Sequence, residues 1–249
     1  MPHSDGSSLW RLSSFEQQRQ HAVAAAASNA GLRRQTVIAT TLQAELRVLD
    51  QRRGGADPIE VVAACLRLRE PALIYLRYKD RVWPVTLFPH EMLYHSPRSL
   101  VDGTRQGLAG LTTLDIEPPG VRPPGHWMYE RVAAADAYHP LLPALWTLAL
   151  QGPRPTLLQE ISGPAAYRVL RDPTRQDLDT PGALGATVDR LRKESAPLHK
   201  IARWPGMSEE RASRLLNALY LTANLLVSRA HHAAAGPSVM QWLRSLRSH

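Results

Sequence analysis

The stretch from Pro197 to Arg229, PLHKIARWPGMSEERASRLLNALYLTANLLVSR, constrains this chain more than any other, because its stop and start signals leave few folds open. Pro205 and Gly206 close a short helix in a tight turn. Ser208 follows, and its hydroxyl can cap the next helix, while Glu209 and Glu210 stand in the first turn, where the helix dipole favours negative charge. Ala212, Leu215, Leu216, Leu219 and Ala223 then recur at helical spacing, so one face must pack inward. Asn224 tolerates the left-handed conformation that often ends a helix, and Leu225, Leu226 and Val227 make an apolar run suited to a short buried strand. Before the turn, Leu198, Ile201 and Ala202 supply an inner helix face. Further upstream, Thr180 and Pro181 pair as cap and first-turn proline, and Leu184, Val188 and Leu191 stripe a first helix.

The resulting order of helix, helix, helix, strand resembles the winged-helix branch of helix-turn-helix domains, over residues 181–249 and by spacing alone. The resemblance implies a module that docks on something. If the partner is duplex DNA, the helix from Ser208 enters the major groove, with Arg211, Arg214 and Asn217 reading or bracketing bases and Lys200, Arg203 and Arg229 on phosphates. The charge distribution leans the same way. From Ala183 onward there are ten basic side chains against four acidic ones, which accounts for six of the eight net positive charges. Two observations pull against DNA. Lysine occurs only at positions 79, 193 and 200, so the basic excess is almost wholly arginine and fits a general bias towards Arg and Ala. Glu209 and Glu210 would also sit at the groove end of the reading helix and meet phosphate repulsion.

The N-terminal half has a different texture. Residues 1–13 are polar. Ser14 with Gln17 makes a capping box for a helix through the alanines to about Asn29, stopped by Gly31, and Ile38, Leu42, Leu46 and Leu49 stripe a second helix that Gly54 and Gly55 break. Asp57, Pro58 and Glu60 then form a strong helix start, with a cap, a first-turn proline and a reciprocal glutamate; Val61, Val62, Cys65 and Leu66 are its buried stripe. From Pro71 the period changes from helical to alternating. Ala72 to Tyr78, a turn at Lys79 and Asp80, and Arg81 to Phe88 read as a β-hairpin rich in branched and aromatic residues. Pro84 cannot donate to a ladder, so its strand is expected at an edge or bulged there. Met92 to His95 adds a third strand.

Glu117 to Gly125, EPPGVRPPG, holds four prolines and two glycines and reads as a linker, which puts a boundary near residue 120. WMYERVAAADAY, residues 127–138, is expected to be helical. Leu141 to Leu150 is apolar on all sides, so Trp146 and its neighbours belong to the core joining the two halves or to a dimer surface; exposure of such a patch would promote aggregation, which favours the core. Leu157, Leu158 and Ile161 give a short helix, and Ala165 to Leu170 a strand. After Gly236 and Pro237, Ser238 caps a last helix with Met240, Trp242, Leu243 and Leu246, whose apolar side suits docking to a partner or to a membrane surface, with folding back onto its own domain the favoured reading.

The expected architecture is α+β and mostly helical: an α+β domain over residues 1–120 with a small antiparallel sheet, a helical connection over 121–180, and a winged-helix-like domain over 181–249. Its 44% hydrophobic content is enough to bury a core in each domain. Catalytic signatures are missing: there is no phosphate loop, no GxSxG and no paired cysteines. Glu130, Asp136 and His139 are the nearest approach to a polar cluster. In HEMLYH, residues 90–95, the histidines are five apart where ligands on one helical face need four, and His231 and His232 are adjacent, so no metal and no cofactor are expected. Cys65 is the lone cysteine and reads as core, which suits a reducing compartment. Nothing in the N-terminal sequence looks like a secretory signal, and no apolar run approaches the roughly 20 residues of a membrane span. The sequence therefore points to a cytoplasmic, non-enzymatic bacterial regulatory or adaptor protein that binds another protein, with DNA-binding regulator as the alternative. The contacts would fall among Lys200, Arg203, Arg211, Arg214, Asn217, Arg229 and Trp242, and homo-oligomers fit the apolar helix.

Overall fold

The computed structural model describes residues 9–28, 38–53, 57–102 and 107–229. The alternating segment folds as read. Strands β2 (Ala72–Tyr78) and β3 (Arg81–Phe88) pair in the register that a two-residue turn dictates, Tyr78 opposite Arg81 and Ala72 opposite Leu87. Lys79 takes the left-handed conformation at this turn, at φ 57°, a conformation that glycine adopts more readily. Trp10–Arg11 (β1), Leu93–His95 (β4), Thr112–Glu117 (β5) and Tyr138–Pro140 (β6) complete an antiparallel sheet in the order β5-β2-β3-β4-β6, with β1 beside β3.

Pro84 sits in the middle of this sheet, yet the expectation of an edge holds locally. On that side of β3, β1 pairs only as far as Val82 and β4 begins at Thr86. Pro84 falls in the gap, where no ladder donor is needed. The gap is closed by side chains instead: the buried Trp83 indole donates to Ser96 Oγ at 2.8 Å, and that hydroxyl donates to the Pro84 carbonyl at 3.1 Å.

Helices line the sheet. Helix α1 (Leu12–Ser28) starts two residues before the expected cap at Ser14, and Phe15 packs with Tyr75 and Val82 on a small satellite cluster. Helix α2 (Thr40–Arg53) buries Leu42 completely. The stops expected at Gly31 and at Gly54 and Gly55 lie outside the described residues. Helix α3 (Pro58–Leu68) is capped by Asp57, which accepts from Ile59 N at 3.0 Å. The reciprocal half of the capping box is not made. Glu60 turns away to accept from Gln159 N and to meet Arg154, and α3 is buried from Pro58 to Cys65 on every side.

Residues 127–138 are not a helix. Two short 3-10 turns, Tyr129–Arg131 and Ala135–Ala137, lead into β6, since Val132 to Ala134 is extended and has no apolar stripe to bury. The proline-rich segment joins β5 to β6 within one sheet, so the boundary expected near residue 120 falls inside that sheet. One contiguous core runs from Leu42 and Ile59 to Leu219. Helix α4 (Leu141–Gln151) belongs to it, with Leu141, Ala144, Leu145, Trp146, Leu148 and Ala149 buried, as its lack of a polar face demands.

The C-terminal unit comprises α5 (Ala183–Lys193), the single turn α6 (Leu198–Ile201), α7 (Glu209–Leu221) and β8 (Leu225–Ser228). Helix α5 starts after Gly182, at φ 57°, and not from a Thr180 cap. Ser208 does cap α7, accepting from Arg211 N at 3.2 Å. The left-handed residue that ends α7 is Ala223, at φ 56°, and not Asn224; the amides of Ala223 and Asn224 donate to Tyr220 O and Leu219 O in a Schellman closure. Ala223 is exposed there and leaves the buried stripe. Strand β8 pairs antiparallel with β7 (Ala166–Val169), which lies upstream of all three helices. Tyr167 also bridges to Ala196, between α5 and α6.

Candidate functional site

The predicted contact residues separate into two groups. Asn217 is fully buried: its Oδ1 accepts from Leu158 N at 2.8 Å and its Nδ2 donates to Thr156 O at 2.9 Å. It holds the loop after α4 and cannot read a base. Arg214 is half-buried and spends its guanidinium on the end of α4, with Nη1 donating to Gly152 O at 2.7 Å and Nε to Glu210 at 2.9 Å. Both face inward because α4 packs along α7, and from Ala212 to Leu219 only Arg214 has any exposure. The helix expected in a groove is thus a core helix.

The second group stays at the surface. Lys200 Nζ lies 3.3 Å from Glu194, Arg211 donates to Gly206 O at 2.6 Å, Arg229 donates to the Glu160 carbonyl, and Arg203 is exposed. Of these cations, Arg211 lies beside Arg214, the two lining a cavity with Trp146 and Leu150. A cleft of about 610 Å³ opens beside the first turn of α7, between Thr156, Leu198 and Ser213, and its rim carries Glu209 and Glu210. The helix end that the DNA reading brings to phosphate is therefore acidic. Trp242 lies outside the described residues.

Beneath that cleft sits a polar network that spacing could not reveal. Arg154 is 2% exposed and donates to Asp57 Oδ2 and Glu60 Oε1, each at 2.8 Å, and to the carbonyls of Thr156 and Leu157. Burial pushes the Glu60 carboxyl above its ordinary range, opposed by the Arg154 charge. Alongside, Arg67 bridges Glu45 and Glu160. The network joins α3 to the loop that Asn217 holds on α7, and it leaves Glu160 Oε2 buried without a hydrogen-bond partner among the described residues.

Another feature escaped notice because residues 127–138 were expected to be helical. The segment 117–137 is an ordered loop pinned at its base. Arg122 N donates to Arg131 O at 2.9 Å, and the Tyr138 hydroxyl donates to the Arg122 carbonyl while accepting from Ala133 N at 2.9 Å. Gly125, at φ 81°, turns the chain at the tip, and His126 Nδ1 accepts from Met128 N at 3.1 Å. The outcome is that Trp127 is 78% exposed and Tyr129 81% exposed, with the His126 ring stacked on Trp127 at 5.7 Å between centroids.

His95 and His139 sit on neighbouring strands, and burial together with the His139 charge lowers the His95 pKa. His139 lies on β6 and contacts Ser96 O, while Glu130 and Asp136 lie on two separate 3-10 turns, so the three do not share a helix. Among the described residues no group of three His, Cys, Asp or Glu side chains could hold a metal ion, and no helix is long and apolar enough to cross a membrane. Cys65 is buried, and desolvation pushes its thiol pKa up to about 12. Comparison with known proteins gave no match to a family model, a curated protein or a solved structure.

Proposed function

We infer that this chain is a non-enzymatic regulatory or adaptor protein of the cytoplasm that works by binding another protein, with the loop 117–137 as its docking element. The observation that carries this is the presentation of Trp127 and Tyr129. Two large aromatic rings stand in water on a loop whose backbone is tied at base and tip. Each can remove roughly 150–250 Å² from solvent on binding. Rigid aromatic anchors of this kind dominate protein interfaces because little entropy is lost when they dock.

The C-terminal unit is read as winged-helix-like, supported by three helices followed by β8. It differs in taking the partner strand of β8 from upstream. Its packing weighs against a DNA reader: Asn217 and Arg214 are turned inward, and Glu209 and Glu210 occupy the exposed start of α7.

The test compares the intact protein with a Trp127→Ala/Tyr129→Ala variant, both positions being exposed enough that folding should be unaffected. A protein captured by the parent, purified and titrated back, is expected to bind the variant at least tenfold more weakly, since loss of hot-spot aromatics costs about 2 kcal/mol or more. Equal binding by the two proteins would overturn the reading. Steeply salt-dependent binding of duplex DNA, lost on Arg211→Ala, would replace it with the nucleic-acid alternative.

A further inference from the structure

Between α4, α7 and the loop that leads into α5 lies a cavity of about 350 Å³. Small-molecule sites occupy roughly 300–1,000 Å³ and combine an apolar lining with a few placed polar groups. This cavity has both. Its apolar wall is made by Trp146, which is buried, and by Leu150 and Leu184, which are half-buried. Arg211, Arg214 and Asp179 supply the charge.

The three charges are not alike. Arg214 is engaged, with Nε on Glu210 and Nη1 on the Leu150 and Gly152 carbonyls. Arg211, one turn earlier on the same side of α7, spends only Nη1, on Gly206 O at 2.6 Å, and forms no ion pair among the described residues. Its Nε and Nη2 edge, which can meet a carboxylate with two parallel bonds, is left over. Asp179 is held in place by its backbone, whose carbonyl accepts from Trp146 Nε1 at 2.9 Å, while its carboxylate has no ion pair among the described residues. A cation and an anion thus border one cavity without pairing with each other. A lone carboxylate entering it would be repelled by Asp179, and a lone amine by Arg211. A molecule carrying both charges is attracted at both ends.

We propose that this cavity binds a free α-amino acid with an apolar side chain, its carboxylate on Arg211, its ammonium on Asp179 and its side chain against Trp146, Leu150 and Leu184. The ligand ties α4, α7 and the start of α5 together and gives the protein a small-molecule input. The inference goes beyond the docking role of the loop at Trp127 and Tyr129, and its test leaves that loop intact.

Calorimetric titration of the full-length protein with L-phenylalanine and L-leucine tests this, and at least one of them is expected to saturate a single site at about 1 mM or tighter. Phenylpropionate lacks the ammonium, phenethylamine lacks the carboxylate and glycine lacks the apolar body, so each should bind at least about tenfold more weakly than the better amino acid. That series uses the parent protein alone. Arg211→Ala and Asp179→Asn change exposed positions and should keep the parent's unfolding midpoint without ligand, yet each should weaken amino-acid binding at least about tenfold. Asp179→Asn should not weaken phenylpropionate, which has no ammonium to lose. Absence of saturable binding of either amino acid up to about 10 mM would overturn the proposal. Phenylpropionate, phenethylamine or glycine binding as tightly as the better amino acid, or full affinity in either variant, would overturn it too.

Discussion

Arg154 donates to Asp57 across 97 residues of sequence, and the same carboxylate caps helix α3 through its other oxygen. One aspartate thus fixes a helix start and orients a buried guanidinium, whose second arm holds Glu60. The start of α3 and the loop leaving α4 are consequently set by one network.

Replacing Arg154 by Met should be severe, because it leaves Glu60 buried without its counter-charge. Removing one partner of a buried ion pair costs about 3–5 kcal/mol. The urea midpoint should fall accordingly, and adding Glu60→Gln should recover a large part of the loss. Equal stability of the two variants would show that Glu60 is compensated elsewhere.

The same carboxyl predicts a pH dependence. Its pKa is raised in the folded protein above the ordinary value of 4.5, so the native state holds that proton more tightly than the unfolded chain does. Its contribution to stability is present below that value and is lost as pH rises through the native pKa. Relative to the parent, Glu60→Gln should therefore gain stability across that window and level off above it. Urea titrations of both proteins over a pH series measure the difference directly.

Asn217 and Arg211 should behave oppositely to their roles as base readers. Asn217→Leu strands the Leu158 amide in the interior, at about 1–3 kcal/mol, while the Thr156 carbonyl keeps Arg154 Nε as its donor. Arg211→Ala, at the surface, should stay within about 0.5 kcal/mol. Thermal unfolding of the pair separates a structural Asn217 from a surface one.

Ala223 ends α7 in a conformation that carries a steric penalty of about 1–2 kcal/mol for any side chain with a Cβ. Glycine escapes that penalty but loses more chain entropy. Ala223→Gly should therefore stabilise by about 0.5–1 kcal/mol, seen as a higher unfolding midpoint with an unchanged denaturant slope.

Cys65, with its thiol pKa pushed up to about 12 by burial, should resist a thiol-directed reagent in the folded protein. Modification should proceed at the rate of opening and become immediate in denaturant. Rapid labelling of the native state would contradict the burial of α3.

What the sequence made legible was local. The hairpin could be read to the residue because Ile74, Leu76, Trp83 and Val85 carry a two-residue period around a two-residue turn, and Ser208 announced α7 because capping is a contact between near neighbours. Two of the three missed strands are short: Trp10–Arg11 has two residues, and Tyr138–Pro140 has three, one of them proline, and becomes a strand only because β4 is there to pair with it. The candidate site failed for a related reason. Asn217 looked like a polar reader on an apolar helix, and only the arrival of the loop at Thr156 and Leu158 turns that amide into an internal brace. Nothing within a few residues of Arg154 indicates that Asp57 will meet it.

The crossing from β5 to β6 gives the proline-rich segment an unusual position for a cleavable stretch. A single cut between Pro118 and Gly125 would sever the polypeptide but not the strand pairing of β4 with β6, the Arg154 clamp on α3, or the shared core. The two pieces would stay together as a noncovalent heterodimer under native conditions and part only in denaturant, so fragment complementation, and not domain separation, is what this topology provides.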